Sequence, residues 1–220
     1  MGWRPELGDV VLGKYRLIRL LGEGGMGVVF EAVNIATEGG VALKMLKPGG
    51  VEDDGSSART ARMSREARAI ARVKSRFVGR VLDFAQTDTG APVLVLELLQ
   101  GHDLNEELKR TRAPMSVEDA VSFVVQACAG VAAAHDLGIV HRDLKPGNLF
   151  LDASNAGAPI VRVLDFGLAK TIAPHLTTDI TASQETLGTL SYMSPEQVRS
   201  TRDVDARTDV WPSASFSIAS

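Results

Sequence analysis

The 220-residue chain has one cysteine, few aromatic residues and no long hydrophobic run. The single cysteine, Cys128, cannot close an internal disulfide, so the fold does not depend on an oxidising compartment. We find no run of about 18 apolar residues that would predict a membrane span. The polar N-terminus also lacks the hydrophobic segment of a signal peptide. We therefore expect a cytoplasmic protein with no membrane segment in this chain.

Basic residues do not outnumber acidic ones, because the chain has 24 Lys and Arg residues and 27 Asp and Glu residues, for a formal net charge of -3. Nucleic acids and anionic membranes both require a basic face. We therefore expect no nucleic acid partner. The hydrophobic share of 45% is ordinary for a globular chain and is enough for one large domain or two small lobes.

The first hundred residues alternate short β-rich runs with glycine-rich turns, which predicts an antiparallel sheet. The five predicted strands cover residues 15–21, 28–33, 40–46, 78–85 and 91–98. A helix is predicted over residues 61–73, between the third and fourth strands. The helical spacing of its apolar residues places on one face Met63, Ala67, Ile70 and Ala71. Residues 100–103, which include Gly101, are predicted to form a hinge.

The clearest helical pattern lies over residues 116–137. Ser116 and Asp119 form an S-x-x-D start, and Gly138 provides the stop. An apolar stripe predicts the buried face, with Cys128 as a packed core thiol; its members are Val117, Ala120, Val121, Val124, Cys128, Val131 and Ala134. Two short strands are predicted near residues 149–151 and 161–164, followed by a long Thr-rich loop over 169–189 of the kind that is often regulatory.

Short motifs follow one another along the chain in a defined order. The patterns G-x-G-x-x-G-x-V and V-A-x-K come first and include Gly22, Gly24, Gly27, Val29, Ala42 and Lys44. The patterns H-R-D-L-K-P-G-N, D-F-G and S-P-E follow at residues 141–148, 165–167 and 194–196. Several matches in this order are far less probable by chance than any single match.

The residue types in these motifs suit chemistry on phosphate groups. Glycine lets backbone N–H groups approach a phosphate without a side chain in the way, although a glycine pattern alone fits a plain hairpin equally well. Asp143 and Asn148 stand five residues apart on one predicted loop, with Lys145 between them. Phosphoryl transfer requires mainly positioning and charge neutralisation, which such a loop can provide.

Through these motifs the sequence resembles the eukaryotic-like Ser/Thr protein kinases of bacteria, from about Leu12 to Trp211. The resemblance implies an α+β, two-lobed protein-kinase-like fold. Residues 1–99 would form the ATP-binding lobe, a five-stranded antiparallel sheet with one helix, and residues 100–211 a mainly helical but incomplete catalytic lobe. It also implies transfer of the γ-phosphate of ATP to Ser or Thr residues of protein substrates.

The resemblance also implies a role for each motif residue. Asp143 would be the base or orienter of the acceptor hydroxyl, with Lys145 steadying the γ-phosphate. Asn148 and Asp165 would hold Mg²⁺ through oxygen ligands. Lys44 would bind the α- and β-phosphates, held by Glu66, although Glu66 also fits plain pairing with neighbouring arginines on the helix surface. The implied ATP-binding residues are Gly22, Gly24, Gly27, Val29, Ala42, Lys44, Glu97 and Leu99.

The sequence supports further expectations. Arg142, beside Asp143, suggests control by phosphorylation of the activation loop, with Thr181 and Ser183 as the favoured sites. Thr189 fits the residue that favours Ser and Thr acceptors, and autophosphorylation would involve possible self-association of the chain. Asp103 fits either a ribose contact or a helix cap, and we expect His141 to be a packed structural residue.

The chain departs from the family after Trp211, where residues 212–220 read P-S-A-S-F-S-I-A-S. Proline and serine are poor continuations of the apolar helix that the family has there. We hypothesise a frameshift near codon 212, because suitably chosen codons with one restored base encode an apolar segment instead. The alternative to a kinase is a truncated, non-catalytic nucleotide-binding or interaction fragment. A small-molecule phosphotransferase shares parts of the fold, but Lys145 and the Thr-rich loop favour protein substrates.

Overall fold

The computed structural model describes residues 5–24, 27–46, 56–111, 115–154, 157–166, 191–199 and 204–212, without the side chains of residues 56–60 and 62. The chain divides into two compact units. The first unit comprises Met1–Ala71 and Arg80–Leu99. The second unit comprises Arg72–Gly79 and Gln100–Ser220. The motifs are therefore shared between the two units.

The first unit contains a 6-stranded antiparallel sheet in the order β1-β2-β3-β4-β6-β5. Its strands are β1 (Val10–Val11), β2 (Tyr15–Gly24), β3 (Gly27–Asn34), β4 (Gly40–Leu46), β5 (Val81–Gln86) and β6 (Pro92–Glu97). The five predicted strands are all present, and the short β1 adds an edge strand. Apolar side chains on one face form the core, among them Leu17, Phe30, Leu43, Val93 and Val95.

One helix, α1 (Ser56–Ile70), accompanies this sheet. Met63, Ala67 and Ile70 are buried at spacings of four and three residues, as the helical pattern predicted. Ala71 is exposed because it follows the last helical residue. The burial of three apolar side chains fixes which face of α1 packs inward.

Residues 72–79 join the second unit through the backbone of β9 (Ile160–Val163). The Val163 N–H donates to Phe77 O at 2.8 Å, and the Gly79 N–H donates to Val163 O at 3.0 Å. Arg162 also donates to Arg76 O at 2.6 Å. The strand predicted to begin at residue 78 therefore begins at Val81, because Val78 instead forms a parallel bridge with Val163.

The second unit has a 3-stranded antiparallel sheet in the order β7-β8-β9, with β7 at Gly101–Asp103 and β8 at Leu149–Asp152. The predicted hinge at residues 100–103 is thus mostly strand. Gly101 lies at φ 140°, and a Cβ there would meet Leu151 O at 2.0 Å, so this register requires glycine. In the described part of this unit the helices are α2 (Leu104–Arg110), α3 (Val117–His135) and α4 (Pro195–Arg199), with 3₁₀ turns at Pro146–Asn148 and Ala206–Asp209.

Helix α3 begins where the sequence predicted, since Ser116 Oγ accepts the Asp119 N–H at 3.1 Å. Its buried residues are Ala127, Gly130, Val131 and Ala134, so the predicted stripe is confirmed at Val131 and Ala134 and misses Ala127 and Gly130. Val117 is 77% exposed and Cys128 is also exposed, so the prediction of a core thiol was wrong. Small residues face inward because the backbone of residues 72–79 comes close; a Cβ on Gly130 would meet Phe77 O at 2.6 Å.

Within the part of the chain that the structure describes, α3 is also the one helix long and apolar enough to cross a membrane. Length and composition alone are weak support for a span, because core helices of soluble proteins pass the same test. Several residues of α3 are buried within the second unit, to which the helix belongs.

Candidate active site

The glycine motif forms the β2–β3 hairpin, where Gly24 pairs with Gly27 and Gly22 pairs with Val29. A Cβ on Gly22 or Gly24 would meet no atom within 4 Å, so these two positions leave open space beside the backbone. Gly27 is different, because it lies at φ 157° and its Cβ would stand 2.2 Å from Met45 O. Gly22 and Gly24 therefore fit the approach of a ligand, whereas Gly27 is required by the packing of β3 on β4.

Replacing Gly27 with Ala is expected to lower the free energy of unfolding by about 2 to 4 kcal/mol, because the methyl group adds backbone strain and a clash with β4. Gly22→Ala is the matched control, since that site has room for a Cβ. Chemical denaturation of both variants measures the difference. Equal stability of Gly27→Ala and the wild type would contradict the assigned role of Gly27.

Lys44 lies in the middle of β4, opposite Val29 of β3 and Leu94 of β6. It is a buried lysine with only 8% exposure, which is unusual for a charged residue. Ala42 is buried two residues earlier on the same strand. Glu66 is half-buried on α1, one turn before Ile70. The pairing of Lys44 with Glu66 stays a prediction, as do the ATP contacts of Val29 and Ala42.

Glu97 ends β6, and its backbone N–H donates to Arg80 O at 3.1 Å. Its side chain accepts the Arg80 N–H at 2.8 Å. The backbone and the side chain of Glu97 therefore both bond to Arg80, the residue just before β5. The ATP contact of Glu97 stays a prediction. Leu99 is half-buried just after β6, and its ATP contact stays a prediction. Asp103 caps α2 by accepting the Glu106 N–H at 2.8 Å, which supports the helix-cap alternative.

The 141–148 loop places a carboxylate, an amide and an ammonium group together in the second unit. Asn148 Nδ2 donates to Asp143 O at 2.7 Å and to Asp143 Oδ2 at 3.1 Å. Lys145 Nζ lies 3.2 Å from the same Oδ2. The carboxylate of Asp143 is thus held in one orientation by two side chains from its own loop.

Asn148 and Asp165, the predicted metal ligands, are brought together through Leu164. The Leu164 N–H donates to Asn148 O at 2.9 Å, and Leu164 O accepts from His141 Nε2 at 2.8 Å. Asp165 follows directly and lies at φ 58°, a left-handed conformation that is uncommon for a non-glycine residue. Since the Asn148 amide nitrogen faces Asp143, its oxygen is the atom that can bind a cation.

His141 is fully buried and has the structural role that the sequence predicted. Its Nδ1 accepts the Asp143 N–H at 3.2 Å, so Nε2 carries the proton that it donates to Leu164 O. The ring also packs on Phe166 of the D-F-G motif, with centroids 4.6 Å apart. Burial lowers the pKa of His141 below its ordinary value, and this outweighs the nearby Asp209 carboxylate, which raises it.

The low pKa of His141 predicts a loss of stability in acid. Between the lowered folded-state pKa and the unfolded value near 6.5, the unfolded chain binds more protons, so the free energy of unfolding falls as the pH decreases through this window. Nitrogen NMR shifts of the imidazole rings should show His141 still neutral, with its proton on Nε2, below pH 6.5. Protonation of folded His141 at pH 6.5 or above would contradict this prediction.

Asp209 is the functional residue that the motif reading missed. Its Oδ1 accepts the Arg142 N–H at 2.8 Å, and its Oδ2 accepts the His141 N–H at 2.7 Å and faces His135 Nε2 at 2.8 Å. The side chain is almost fully buried. Asp209 lies in the stretch D-A-R-T-D-V-W at residues 205–211, just before the point where the motif-based resemblance ends. It fixes the backbone of the 141–148 loop, where Arg142 lies at φ 64°.

The predicted regulatory residues Thr181, Ser183 and Thr189 lie outside the described residues, so their roles stay predictions. Arg142, the fourth of that set, lies on the loop held by Asp209. Across the described residues, no group of three or more His, Cys, Asp and Glu side chains could hold a metal ion by itself. A cation bound by Asn148 and Asp165 would therefore need further oxygen ligands from a nucleotide or water.

Comparison with known proteins agrees with this arrangement. The family profile described as "Protein kinase domain" matches residues 15–218, so the chain belongs to the protein kinase family. The matched range runs past Trp211, where the motif-based resemblance ended. The predicted family is thereby confirmed.

Two curated relatives are bacterial serine/threonine-protein kinases. Serine/threonine-protein kinase pkn3 of Myxococcus xanthus is 36% identical over 206 residues, which are 93% of this chain and 37% of that protein. PknB of Mycobacterium leprae is 36% identical over 210 residues, 94% of this chain and 31% of that protein. The chain thus spans about a third of the length of these relatives.

Among solved structures, the kinase domain of Mycobacterium tuberculosis PknI resembles the chain with a TM-score of 0.73 and 26% identity. The match covers 98% of this chain and 76% of that one. The predicted α+β protein-kinase-like fold is confirmed by this similarity. Among the residues that the structure describes, the second unit has few helices, which agrees with the expected incomplete catalytic lobe.

Proposed function

We propose that the chain is the catalytic part of an ATP-dependent protein serine/threonine kinase. The observation that carries the proposal is the 141–148 loop, on which Lys145 Nζ and Asn148 Nδ2 both lie within 3.2 Å of Asp143 Oδ2. Membership of the protein kinase family supports the same activity. Protein substrates with Ser or Thr acceptors are proposed by analogy with the relatives' names.

In the proposed reaction, the hydroxyl oxygen of an acceptor Ser or Thr forms a bond to the γ-phosphorus of ATP. The bond from that phosphorus to the β–γ bridging oxygen breaks, and ADP leaves. Asp143 orients the hydroxyl and takes up its proton. Lys145 is a fixed positive charge beside Asp143 that suits the γ-phosphate. Gly22, Gly24 and Lys44 are proposed to hold the remaining phosphates.

Asn148 and Asp165 are proposed to hold Mg²⁺ with ATP. An amide oxygen and a carboxylate are the hard oxygen ligands that this ion prefers, and the hydrogen bonds of Leu164 keep them on adjoining segments. Bound Mg²⁺ would neutralise charge on the transferring phosphate. Asn148 is oriented for this role by its bonds to Asp143.

Regulation by activation-loop phosphorylation is part of the proposal. Arg142 has a fixed backbone position beside Asp143, so a phosphate on Thr181 or Ser183 could pair with its guanidinium group. Self-association would allow one copy to phosphorylate another. Replacing Thr181 and Ser183 with Ala should remove the activation. Full activity of that double variant would contradict this form of regulation.

The direct test incubates the purified chain with Mg-ATP and myelin basic protein and measures phosphate on both proteins by intact mass and phosphoamino acid analysis. We expect phosphoserine or phosphothreonine, and none when a non-hydrolysable ATP analogue replaces ATP. Circular dichroism confirms that the chain is folded. Thermal stabilisation by ATP without any transfer, from folded protein, would favour the alternative of a non-catalytic nucleotide-binding fragment.

A further inference from the structure

The backbone of Arg142 is held on both sides by side chains from later parts of the chain. Its N–H donates to Asp209 Oδ1 at 2.8 Å, and its C=O accepts from Gln197 Nε2 at 2.7 Å. Arg142 is at φ 64°, a left-handed conformation that costs about 1 kcal/mol or more for a non-glycine residue. Such a conformation persists only where surrounding contacts determine it.

The Arg142–Asp143 peptide group is the part of the loop that Gln197 fixes. Its C=O end is bound by Gln197, and its N–H end donates to His141 Nδ1 at 3.2 Å. Rotation of this peptide would turn the backbone from which the Asp143 side chain projects. The hydrogen bond of Gln197 therefore fixes the peptide group that joins Arg142 to Asp143, the residue that bears the proposed catalytic carboxylate.

The orientation of the Gln197 amide is determined by α4 itself. Its Oε1 accepts the Ser194 N–H at 3.1 Å, while Ser194 Oγ accepts the Gln197 N–H at 3.3 Å, which is a reciprocal capping box. With the oxygen bound to Ser194, the amide nitrogen points to Arg142 O. Both Gln197 and Ser194 are buried, so these bonds are shielded from water.

A second contact closes a ring of hydrogen bonds. Ser194 Oγ lies 2.6 Å from Thr208 Oγ1, and Thr208 precedes Asp209, which binds the other side of Arg142. The ring runs through Arg142, Gln197, Ser194, Thr208 and Asp209. Two short segments, 191–199 and 204–212, thus hold the backbone of Arg142 in the 141–148 loop from both sides.

From this ring we propose that Gln197 is a positioning residue, which holds the Arg142–Asp143 peptide so that Asp143 meets the acceptor hydroxyl. The proposal rests on the proposed kinase function. Gln197 directly follows the S-P-E motif and was not among the site residues predicted from the motifs. If Gln197 only capped α4, it would need its amide oxygen as an acceptor but would not need its amide protons as donors.

Gln197→Glu and Gln197→Leu separate these two roles. The glutamate retains an oxygen for the Ser194 N–H but has no proton for Arg142 O, whereas leucine loses both bonds. We expect both variants to lower kcat about tenfold, the rate equivalent of one hydrogen bond, with KM for ATP unchanged. Mg-ATP and myelin basic protein are the probes, and the whole 220-residue chain is used.

Gln126→Glu is the matched control on α3. Gln126 accepts the Val161 N–H at 3.0 Å and donates to Ser122 Oγ at 3.2 Å, so its glutamate variant likewise keeps an acceptor and loses a donor. This variant should retain wild-type kcat. Wild-type kcat in Gln197→Glu would overturn the proposal, and so would its global unfolding, since that would make the bond a general stabilising contact.

Amide hydrogen exchange measures the positioning without any phosphate transfer. Faster exchange at residues 141–144 in both Gln197 variants, with α3 unchanged, supports the proposal, and unchanged exchange there overturns it. If the folded wild type transfers no phosphate but the Gln197 variants show this exchange pattern, the proposed function fails while the contact from Gln197 to the loop stands. The two failures are therefore distinguishable.

Discussion

Replacing Asp143 with Asn is expected to lower kcat by about 10²- to 10⁴-fold, because the variant keeps the shape of the side chain but loses its ability to accept a proton. Lys145 and Asn148 both bond to Asp143 Oδ2, so the loop should keep its fold when the charge is removed. KM for ATP should change little. Steady-state transfer from Mg-ATP to myelin basic protein measures both constants.

Asp136→Asn provides the control for this loss of charge. Asp136 is exposed at the C-terminal end of α3, seven positions before Asp143, and it should leave kcat unchanged. Far-UV circular dichroism verifies that both variants are folded. Retention of more than a tenth of the wild-type kcat by Asp143→Asn would mean that another group accepts the proton, and the assignment of Asp143 would be wrong.

The sequence predicted the parts of the molecule that depend on local pattern. Strand periodicity identified the sheet of the first unit, and the S-x-x-D start of α3 was recognised from Ser116 and Asp119. The motif spacing brought Asp143, Lys145 and Asn148 onto one loop, where Lys145 and Asn148 both bond to Asp143. These features form within a few residues, so the residue types carry enough information.

Features that depend on contacts between distant segments were not predictable in this way. Asp209 binds Arg142 across 67 positions, and Gln197 binds it across 55. Part of the buried face of α3 was mispredicted because close approach of the Phe77 backbone selects Gly130 over larger apolar residues. Hydrophobicity alone cannot indicate where two backbones come close.

The same reasoning makes Asp209 a large determinant of stability. Asp209→Ala leaves the N–H groups of His141 and Arg142 buried without their acceptor. We expect the free energy of unfolding to fall by about 3 to 5 kcal/mol, since each orphaned buried donor costs about 1 to 3 kcal/mol. Urea denaturation measures this, and kcat should fall with it because Arg142 loses one side of its support.

Asp209→Asn separates the charge from the shape. The amide can offer one oxygen to the Arg142 N–H, but its NH₂ group then faces the His141 N–H, so two donors oppose each other. A large part of the destabilisation should therefore persist in this variant. Asp205→Asn is the matched control, because Asp205 is exposed at the start of the same 3₁₀ turn and should leave stability unchanged. Equal stability of the two Asn variants would mean that the loop holds its left-handed Arg142 without Asp209, and that Gln197 and His141 alone suffice to position Asp143.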